Sequence, residues 1–244
     1  MTITHRSRTT LILATVFTAY WLVALHLDAE TDATHQAIIG STAWIFLAVA
    51  LWFSPWQERI QVCTMVGVAT FFECFSALVL GAYTYRLDNL PLYVPPGHGL
   101  FYLTALRIAE LPLLRCYARP IIWSVLAGAT ALLLRNLVAL PLPDLIGLLT
   151  WVAFLPFTLR GRFALLYAIS FTMTMTLEFY GTSLGIWTWA ARSPLAGLPA
   201  ANPPACIGAG YCIMDAITRW LAPRVQRLLG WAFAVAGIAR LKVP

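Results

Sequence analysis

The sequence predicts an all-α fold, a polytopic transmembrane helical bundle of about eight helices arranged as two parallel four-helix pseudo-repeats. The chain is 60% hydrophobic and only 11% charged, whereas soluble domains carry about 25% charged residues. Its mean hydropathy is +0.77. Apolar runs long enough to cross a bilayer recur between short polar breaks, and the few acids inside these runs recur at matched spacing. A soluble fold could not cover its surface with so little charge.

The apolar runs place the individual helices. The first run follows Arg8 and is long enough to span the hydrocarbon core. We therefore interpret it as an uncleaved helix, with signal cleavage near Ala29 as the alternative. A closing run over 228–239 is too short to span and is expected at the membrane interface. The predicted spans are 9–27, 37–55, 61–82, 98–114, 120–140, 144–159, 163–186 and 204–222.

Basic residues predict the orientation of the bundle. With the N-terminus in the cytoplasm, the outer loops hold only Arg86, Arg135 and Arg192, and the cytoplasmic segments hold twelve Arg and Lys. The positive-inside rule then predicts a multi-pass protein of the cell (inner) membrane with both termini cytoplasmic. The basic residues occur singly or in pairs, so the net charge of +6 does not indicate a nucleic-acid partner.

Four acidic residues lie within predicted helices and reveal an internal repeat. Glu73 and Glu110 are 37 residues apart, Glu178 and Asp215 are also 37 apart, and the two pairs are offset by 105. Because charges are rare in membrane helices, this matched spacing predicts two similar halves, 1–117 and 118–222. A C-terminal segment, 223–244, follows them.

The residues after Glu73 and Glu178 support the same division. Each acid is followed by a Gly, then an aromatic-x-aromatic pair, then a Pro-rich outer loop that contains a Pro-Pro pair. Each loop leads into a helix that carries a Tyr and a late acid. The matched residues are Gly81, Tyr83, Tyr85 and Pro95-Pro96 in the first half, and Gly185, Trp187, Trp189 and Pro203-Pro204 in the second.

The buried acids are the candidate catalytic residues. An acid in a membrane helix costs a few kcal/mol on insertion scales and normally faces the bundle interior or a polar cavity. Burial favours the neutral carboxylic acid, which can donate a proton, so Glu73 and Glu178 are candidate proton donors. Arg107 precedes Glu110 by three residues and Arg219 follows Asp215 by four, spacings that predict ion pairs on one helix face. Alternatively, one of these acids serves as a second acid or counter-charge.

Six further residues are candidates for substrate binding. Tyr and Trp near a membrane end are often interfacial anchors, so that alternative stays open for the four aromatic residues. His98 lies between two glycines at a helix entrance and fits a ligand, a proton relay or an interfacial histidine. No Cys or His spacing typical of a metal site occurs, and no metal or other cofactor is predicted. The candidates are Tyr83, Tyr85, His98, Trp187, Trp189 and Asn202.

These motifs resemble those of the fused lycopene cyclase domain family. The local match is Gly185-Ile186-Trp187-Thr188-Trp189 followed by Gly197-Leu198-Pro199. The Glu178-x6-Gly185 spacing also resembles the membrane carotenoid hydratases, and Glu73 fits the same pattern. Small membrane-bound terpene cyclases are similar in size, helix number and buried acids. The cyclase family carries Pro-x-Glu-Glu where this chain has Asn202-Pro203-Pro204.

The resemblance implies cofactor-free acid catalysis on an isoprenoid or carotenoid-like lipid. In such chemistry, a carboxylic acid protonates an alkene and aromatic faces stabilise the carbocation. Glu73 and Glu178 would be the proton donors. Two other functions remain open from the residues alone, a small proton-coupled transporter and a non-catalytic membrane scaffold or assembly protein. The expected partners are the lipid bilayer and a membrane lipid or lipid-like substrate, and a homo-oligomer is left open.

Overall fold

The computed structural model describes residues 5–235. Within this range the protein has nine α-helices and two short strands. A π-helical turn, Cys74–Val79, continues α3, and a 3-10 turn, Ile207–Ala209, precedes α9. The elements are α1 (His5–Glu30), α2 (Ala33–Trp52), α3 (Trp56–Glu73), β1 (Tyr83–Tyr85), α4 (Val94–Ala109), α5 (Pro112–Cys116), α6 (Ala118–Ala139), α7 (Leu145–Leu159), α8 (Ala164–Ser183), β2 (Trp187–Trp189) and α9 (Gly210–Val235).

Four helical segments of the described chain are long and apolar enough to cross a membrane: Arg6–Glu30, Ala33–Trp52, Trp56–Val79 and Ala118–Ala139. A fifth apolar helix, Leu145–Leu159, is shorter. Large apolar side chains are exposed along these helices, and Val138 is 84% exposed. Such a surface is compatible with a lipid environment and unfavourable in water. The prediction of a mainly helical, membrane-compatible protein is confirmed at this level.

Several predicted boundaries were wrong for identifiable reasons. The fourth predicted helix does not reach 114, because Pro112 lacks an amide hydrogen and starts a separate short helix, α5. The third and seventh predicted helices stop before Gly81 and Gly185, which have left-handed φ angles of 64° and 70°. Helix α9 continues past 222 to Val235, so no break occurs where the C-terminal segment was expected. Residues 236–244, with Arg240 and Lys242, lie outside the described part of the chain.

Helices α3, α4, α8 and α9 form the centre of the molecule, with α3 and α8 each packed against both α4 and α9. The glycines on either side of His98 permit this packing. A Cβ on Gly97 would lie 2.9 Å from the Trp21 ring, and one on Gly99 would lie 2.7 Å from Val66. The Gly-His-Gly sequence therefore allows α4 to lie close to α1 and α3.

A two-stranded antiparallel ribbon was not expected from an all-α prediction. Strand β1 pairs with β2 in a register that places Tyr83 opposite Trp189 and Tyr85 opposite Trp187. The central pair is Thr84 with Thr188. Since alternate residues of a strand point to the same face, the four aromatic side chains share one face and the two threonines lie on the other.

Two buried aspartates fasten the loops that lead into α4 and α9. Asp28, at the end of α1, is fully buried and accepts hydrogen bonds from Gln36 Nε2 (2.9 Å) and Tyr93 Oη (2.8 Å). Arg86, just after β1, donates to the backbone oxygens of Asp28 and Thr31. The turn between α1 and α2 therefore holds both ends of the loop that joins β1 to α4.

The second buried aspartate, Asp144, lies between α6 and α7 and is the N-cap residue of α7. It is fully buried, and its carboxylate accepts from the backbone N–H groups of Gly147 (2.8 Å), Ala205 (2.7 Å) and Ala201 (3.2 Å). Asn136 Nδ2 donates to it as well, at 3.2 Å. One side chain thus caps α7 and fixes the loop after β2.

We expect Asp144→Ala to lower the free energy of unfolding by about 2–3 kcal/mol, because two buried amide hydrogens and one half-buried one would lose their acceptor. Thermal unfolding of the purified protein in detergent measures this loss. The matched control is Glu30→Ala, which removes an exposed acid from the other interhelical turn. An equal loss of stability in the two variants would contradict the anchoring role of Asp144.

Candidate functional site

A cavity of about 350 Å³ lies between the central helices and beneath the ribbon. Its wall is mainly apolar and aromatic, and it is partly open. It brings together seven of the eight residues predicted to carry catalysis or substrate binding, namely Glu73, Glu178, Tyr83, Tyr85, His98, Trp187 and Trp189. The two acids from separate halves of the chain therefore share one site.

Glu73 lies where α3 passes into its π-helical turn. Its Oε2 accepts hydrogen bonds from the hydroxyls of Tyr83 (2.5 Å) and Tyr85 (2.9 Å). Its Oε1 lies 2.9 Å from Nε2 of His98. Both oxygens are thus occupied, an arrangement that suits a carboxylate which accepts hydrogen bonds rather than a free acid.

His98 links Glu73 to a residue that the sequence did not single out. Its Nδ1 lies 2.5 Å from the hydroxyl of Tyr211, near the start of α9. Tyr211 also packs against Phe101, with ring centroids 4.2 Å apart. If Nε2 carries the imidazole proton, His98 donates to Glu73 and accepts from Tyr211. The chain Glu73–His98–Tyr211 can thus hold or move a proton along one wall of the cavity.

Glu178 has a different environment. Its Oε2 accepts from the indole Nε1 of Trp187 and of Trp189, both at 2.9 Å. Its Oε1 accepts no hydrogen bond from any residue that the structure describes. A carboxyl group held through one oxygen can carry a proton on the other. Glu178 is therefore the better placed of the two acids to donate a proton into the cavity.

The ribbon positions all four aromatic partners of the acids. Each acid is hydrogen-bonded by both aromatic residues of the strand that follows it in sequence: Glu73 by Tyr83 and Tyr85, and Glu178 by Trp187 and Trp189. The rings also contact one another across the ribbon, with Tyr83 and Trp189 centroids 4.6 Å apart. These residues are thus more than interfacial anchors, because their polar atoms point to the acids.

Gly181, one turn after Glu178, leaves room for the Trp187 indole. A Cβ at Gly181 would overlap the six-membered ring of Trp187. We expect Gly181→Ala to displace Trp187, break its hydrogen bond to Glu178 and lower the unfolding temperature. Gly128→Ala is the matched control, since a Cβ there meets no neighbouring atom within 4 Å. Thermal unfolding with tryptophan fluorescence compares the two, and unchanged values in Gly181→Ala would contradict this packing.

Asn202 was predicted to bind substrate, but it does not line the cavity. Its Oδ1 accepts a hydrogen bond from the backbone N–H of Trp189 at 3.0 Å. The amide thus fixes the edge of β2, and through it the indole that contacts Glu178. Asn202 is therefore a positioning residue behind the cavity wall.

One of the two predicted ion pairs is present. Arg219 Nε lies 2.7 Å from Oδ2 of Asp215, which also accepts from the hydroxyls of Tyr102 and Tyr167. The predicted Arg107–Glu110 pair is absent. Glu110 is the C-cap of α4 and pairs with Arg6 at 2.6 Å.

The partner of Arg107 comes from another helix. Arg107 donates to Glu58 on α3, at 3.1 Å, and to Ser54 at 2.6 Å. Sequence spacing alone could not reveal this long-range acid. Among the described residues, no group of three or more His, Cys, Asp and Glu side chains lies close enough to hold a metal ion.

Comparisons of the chain with models of protein families, with curated proteins and with solved structures found no match.

Proposed function

We propose that the protein is an integral protein of the cell membrane, with both termini in the cytoplasm and two similar four-helix halves joined by α5. The proposed halves are α1–α4 and α6–α9. Each has a buried aspartate in or shortly after the last turn of its first helix, and an acid bound by two aromatic residues. Glu73 precedes Tyr83 by ten residues, whereas Glu178 precedes Trp187 by nine. The π-helical turn after Glu73 accommodates the extra residue.

Within this framework we propose an enzyme that modifies an isoprenoid or carotenoid-like lipid by acid catalysis, as a cyclase or hydratase. The observation that carries the proposal is the shared cavity, in which Glu73 and Glu178 are the acids of a wall otherwise rich in apolar and aromatic groups. Such a wall favours a hydrocarbon substrate. An apolar wall also disfavours bulk water, which would capture a carbocation.

The two acids suit opposite steps of this chemistry. Glu178, with its free Oε1, protonates an alkene carbon, and the π electrons of that bond form the new C–H bond. The faces of neighbouring Trp and Tyr rings stabilise the resulting cation. In a cyclase, the π electrons of a second alkene of the same substrate form the ring bond to the cation, and the new cation loses a proton to the Glu73–His98 pair to form an alkene. In an isomerase, the first cation loses a proton to this pair directly. In a hydratase, water adds to the cation and loses its extra proton to the same pair. The proposed chemistry uses neither a metal nor another cofactor.

Lipid analysis tests this proposal. The purified protein in nanodiscs is incubated with acyclic carotenoids, squalene and shorter polyprenols, and the extracted lipids are compared by chromatography and mass spectrometry with those from empty nanodiscs. We expect a cyclic isomer of unchanged mass or a hydrated product from at least one substrate. An unchanged lipid profile across all of them, with folded protein, would contradict the proposal.

A second candidate, proton-coupled transport, has one observation in its favour. One helical turn beyond His98 and Tyr211 lie Tyr102 on α4 and Asp215 on α9, which are hydrogen-bonded to each other. Asp215 in turn binds Arg219, which lines a second cavity at the other end of the bundle. These polar groups could pass protons between the two ends.

Proton flux in proteoliposomes discriminates the two functions. Transport requires a flux that depends on the protein and is lost in Glu73→Gln. The enzyme proposal instead expects Glu73→Gln to impair lipid conversion without any effect on flux.

A further inference from the structure

A second cavity, of about 400 Å³, lies at the end of the bundle opposite the candidate active site. Glu58, which lines it, precedes Glu73 by fifteen residues of helix α3, a distance of about 20 Å at 1.5 Å per residue. The other walls come from the end of α4, from α5, from the first residue of α6, from the start of α8 and from α9. This cavity therefore forms where the two proposed halves join.

The charged residues of this cavity have an excess of positive charge. Its charged side chains are Arg107, Arg115, Arg162, Arg219, Glu58 and Glu110. Arg107 is neutralised by Glu58, and Arg219 by Asp215. Arg115 and Arg162 have no carboxylate partner among the described residues. Two guanidinium groups are thus left to attract an anion.

Phe163 brings two of the arginines together. The Arg219 guanidinium lies 3.7 Å from the centroid of the Phe163 ring, and that of Arg162 lies 5.6 Å from the same centroid. Both guanidinium groups therefore lie beside one ring of the cavity wall. Ion pairs on Arg107 and Arg219 fix their orientation in advance, which lowers the entropy cost of binding a ligand.

We propose that this cavity binds the phosphate group of an anionic lipid. Guanidinium groups match the geometry of phosphate oxygens through paired N–H donors. Apolar side chains from α4 and α8, namely Leu106, Leu165 and Leu166, line the same cavity and suit the glycerol and acyl portion of a lipid. Basic pockets between transmembrane helices bind lipid head groups in this way. A free phosphate ligand such as inorganic pyrophosphate carries the same kind of charged group but lacks the apolar portion.

This binding site is independent of the proposed enzyme activity, and its test measures binding alone. Native mass spectrometry and thermal unfolding are recorded for the whole protein with phosphatidylglycerol, phosphatidylcholine or inorganic pyrophosphate. We expect saturable binding of phosphatidylglycerol, with stabilisation that phosphatidylcholine does not give. Stabilisation by pyrophosphate but not by phosphatidylglycerol would overturn the lipid assignment in favour of a free phosphate ligand.

Two double variants separate the cavity from general surface charge. The first double variant carries both Arg115→Gln and Arg162→Gln. Each substitution removes a charge-assisted hydrogen bond to the lipid phosphate, and each loss is expected to weaken phosphatidylglycerol binding about tenfold or more. Arg119→Gln with Arg160→Gln removes equal charge near the same end but outside the cavity, and should leave affinity within about twofold, as expected of screened surface charges. Equal losses in the two, or no loss in the first, would overturn the proposal. Because neither pair removes an ion pair seen in the structure, both variants should fold.

Discussion

Glu178→Gln is expected to reduce lipid conversion by about 10²–10⁴-fold, the usual contribution of a general acid. The amide retains an oxygen that can accept from Trp187 and Trp189, so the site should keep its shape. It has no proton of suitable acidity to donate. Product formation per mole of folded protein, in nanodiscs, measures the effect.

Glu110→Gln is the matched control for this variant. It makes the same chemical change in an acid that the sequence also places in a helix, but Glu110 pairs with Arg6 far from the candidate active site. Conversion should stay within about twofold of the unmodified protein, since exposed ion pairs contribute at most about 1 kcal/mol. Full activity in Glu178→Gln would remove Glu178 from the proposed mechanism.

Asp215→Leu is expected to lower the free energy of unfolding by about 3–5 kcal/mol, as for other buried ion pairs that lose one partner. The substitution leaves Arg219 without its carboxylate and removes the acceptor of the Tyr102 and Tyr167 hydroxyls. These contacts join α4, α8 and α9. Reversible unfolding in mixed micelles measures the loss.

The control for this stability effect is Glu110→Leu. That change breaks the exposed ion pair with Arg6 and should cost at most about 1 kcal/mol. If Asp215→Leu is no more destabilised than Glu110→Leu, the contacts of Asp215 with Arg219, Tyr102 and Tyr167 do not hold the helices together. In that case the polar groups between the two cavities would be better explained by the transport function.

The sequence predicted the helical, membrane-compatible class and the residues of the candidate site better than it predicted their connections. Matched spacing singled out Glu73 and Glu178 because charges are rare in apolar helices, and the structure brings both to one cavity. The ribbon was missed because two strands of three residues have too short a pattern to distinguish from loop. Their pairing depends on contacts between residues about a hundred positions apart.

Long-range partners account for the other omissions. Tyr211 contacts His98, which is 113 residues away, and only its position as the Tyr of the second-half helix hinted at a role. Arg107 was assigned to Glu110 because local spacing favoured that pair, whereas packing of α3 against α4 brings Glu58 to it. Nothing in the sequence pattern singles out the two buried aspartates, because their donors come from several separate elements. Asp28 accepts from side chains, and Asp144 accepts from backbone N–H groups and a side chain.

Deuterium labelling tests directly whether Glu178 protonates the substrate. Nanodiscs that contain the protein are equilibrated in D₂O, where the carboxyl proton of Glu178 exchanges with solvent, and are then given an acyclic isoprenoid substrate. We expect a product with one solvent-derived deuterium bound to carbon, and no such product from Glu178→Gln. A product without carbon-bound deuterium, or equal labelling with Glu178→Gln, would contradict protonation of the substrate by this buried acid.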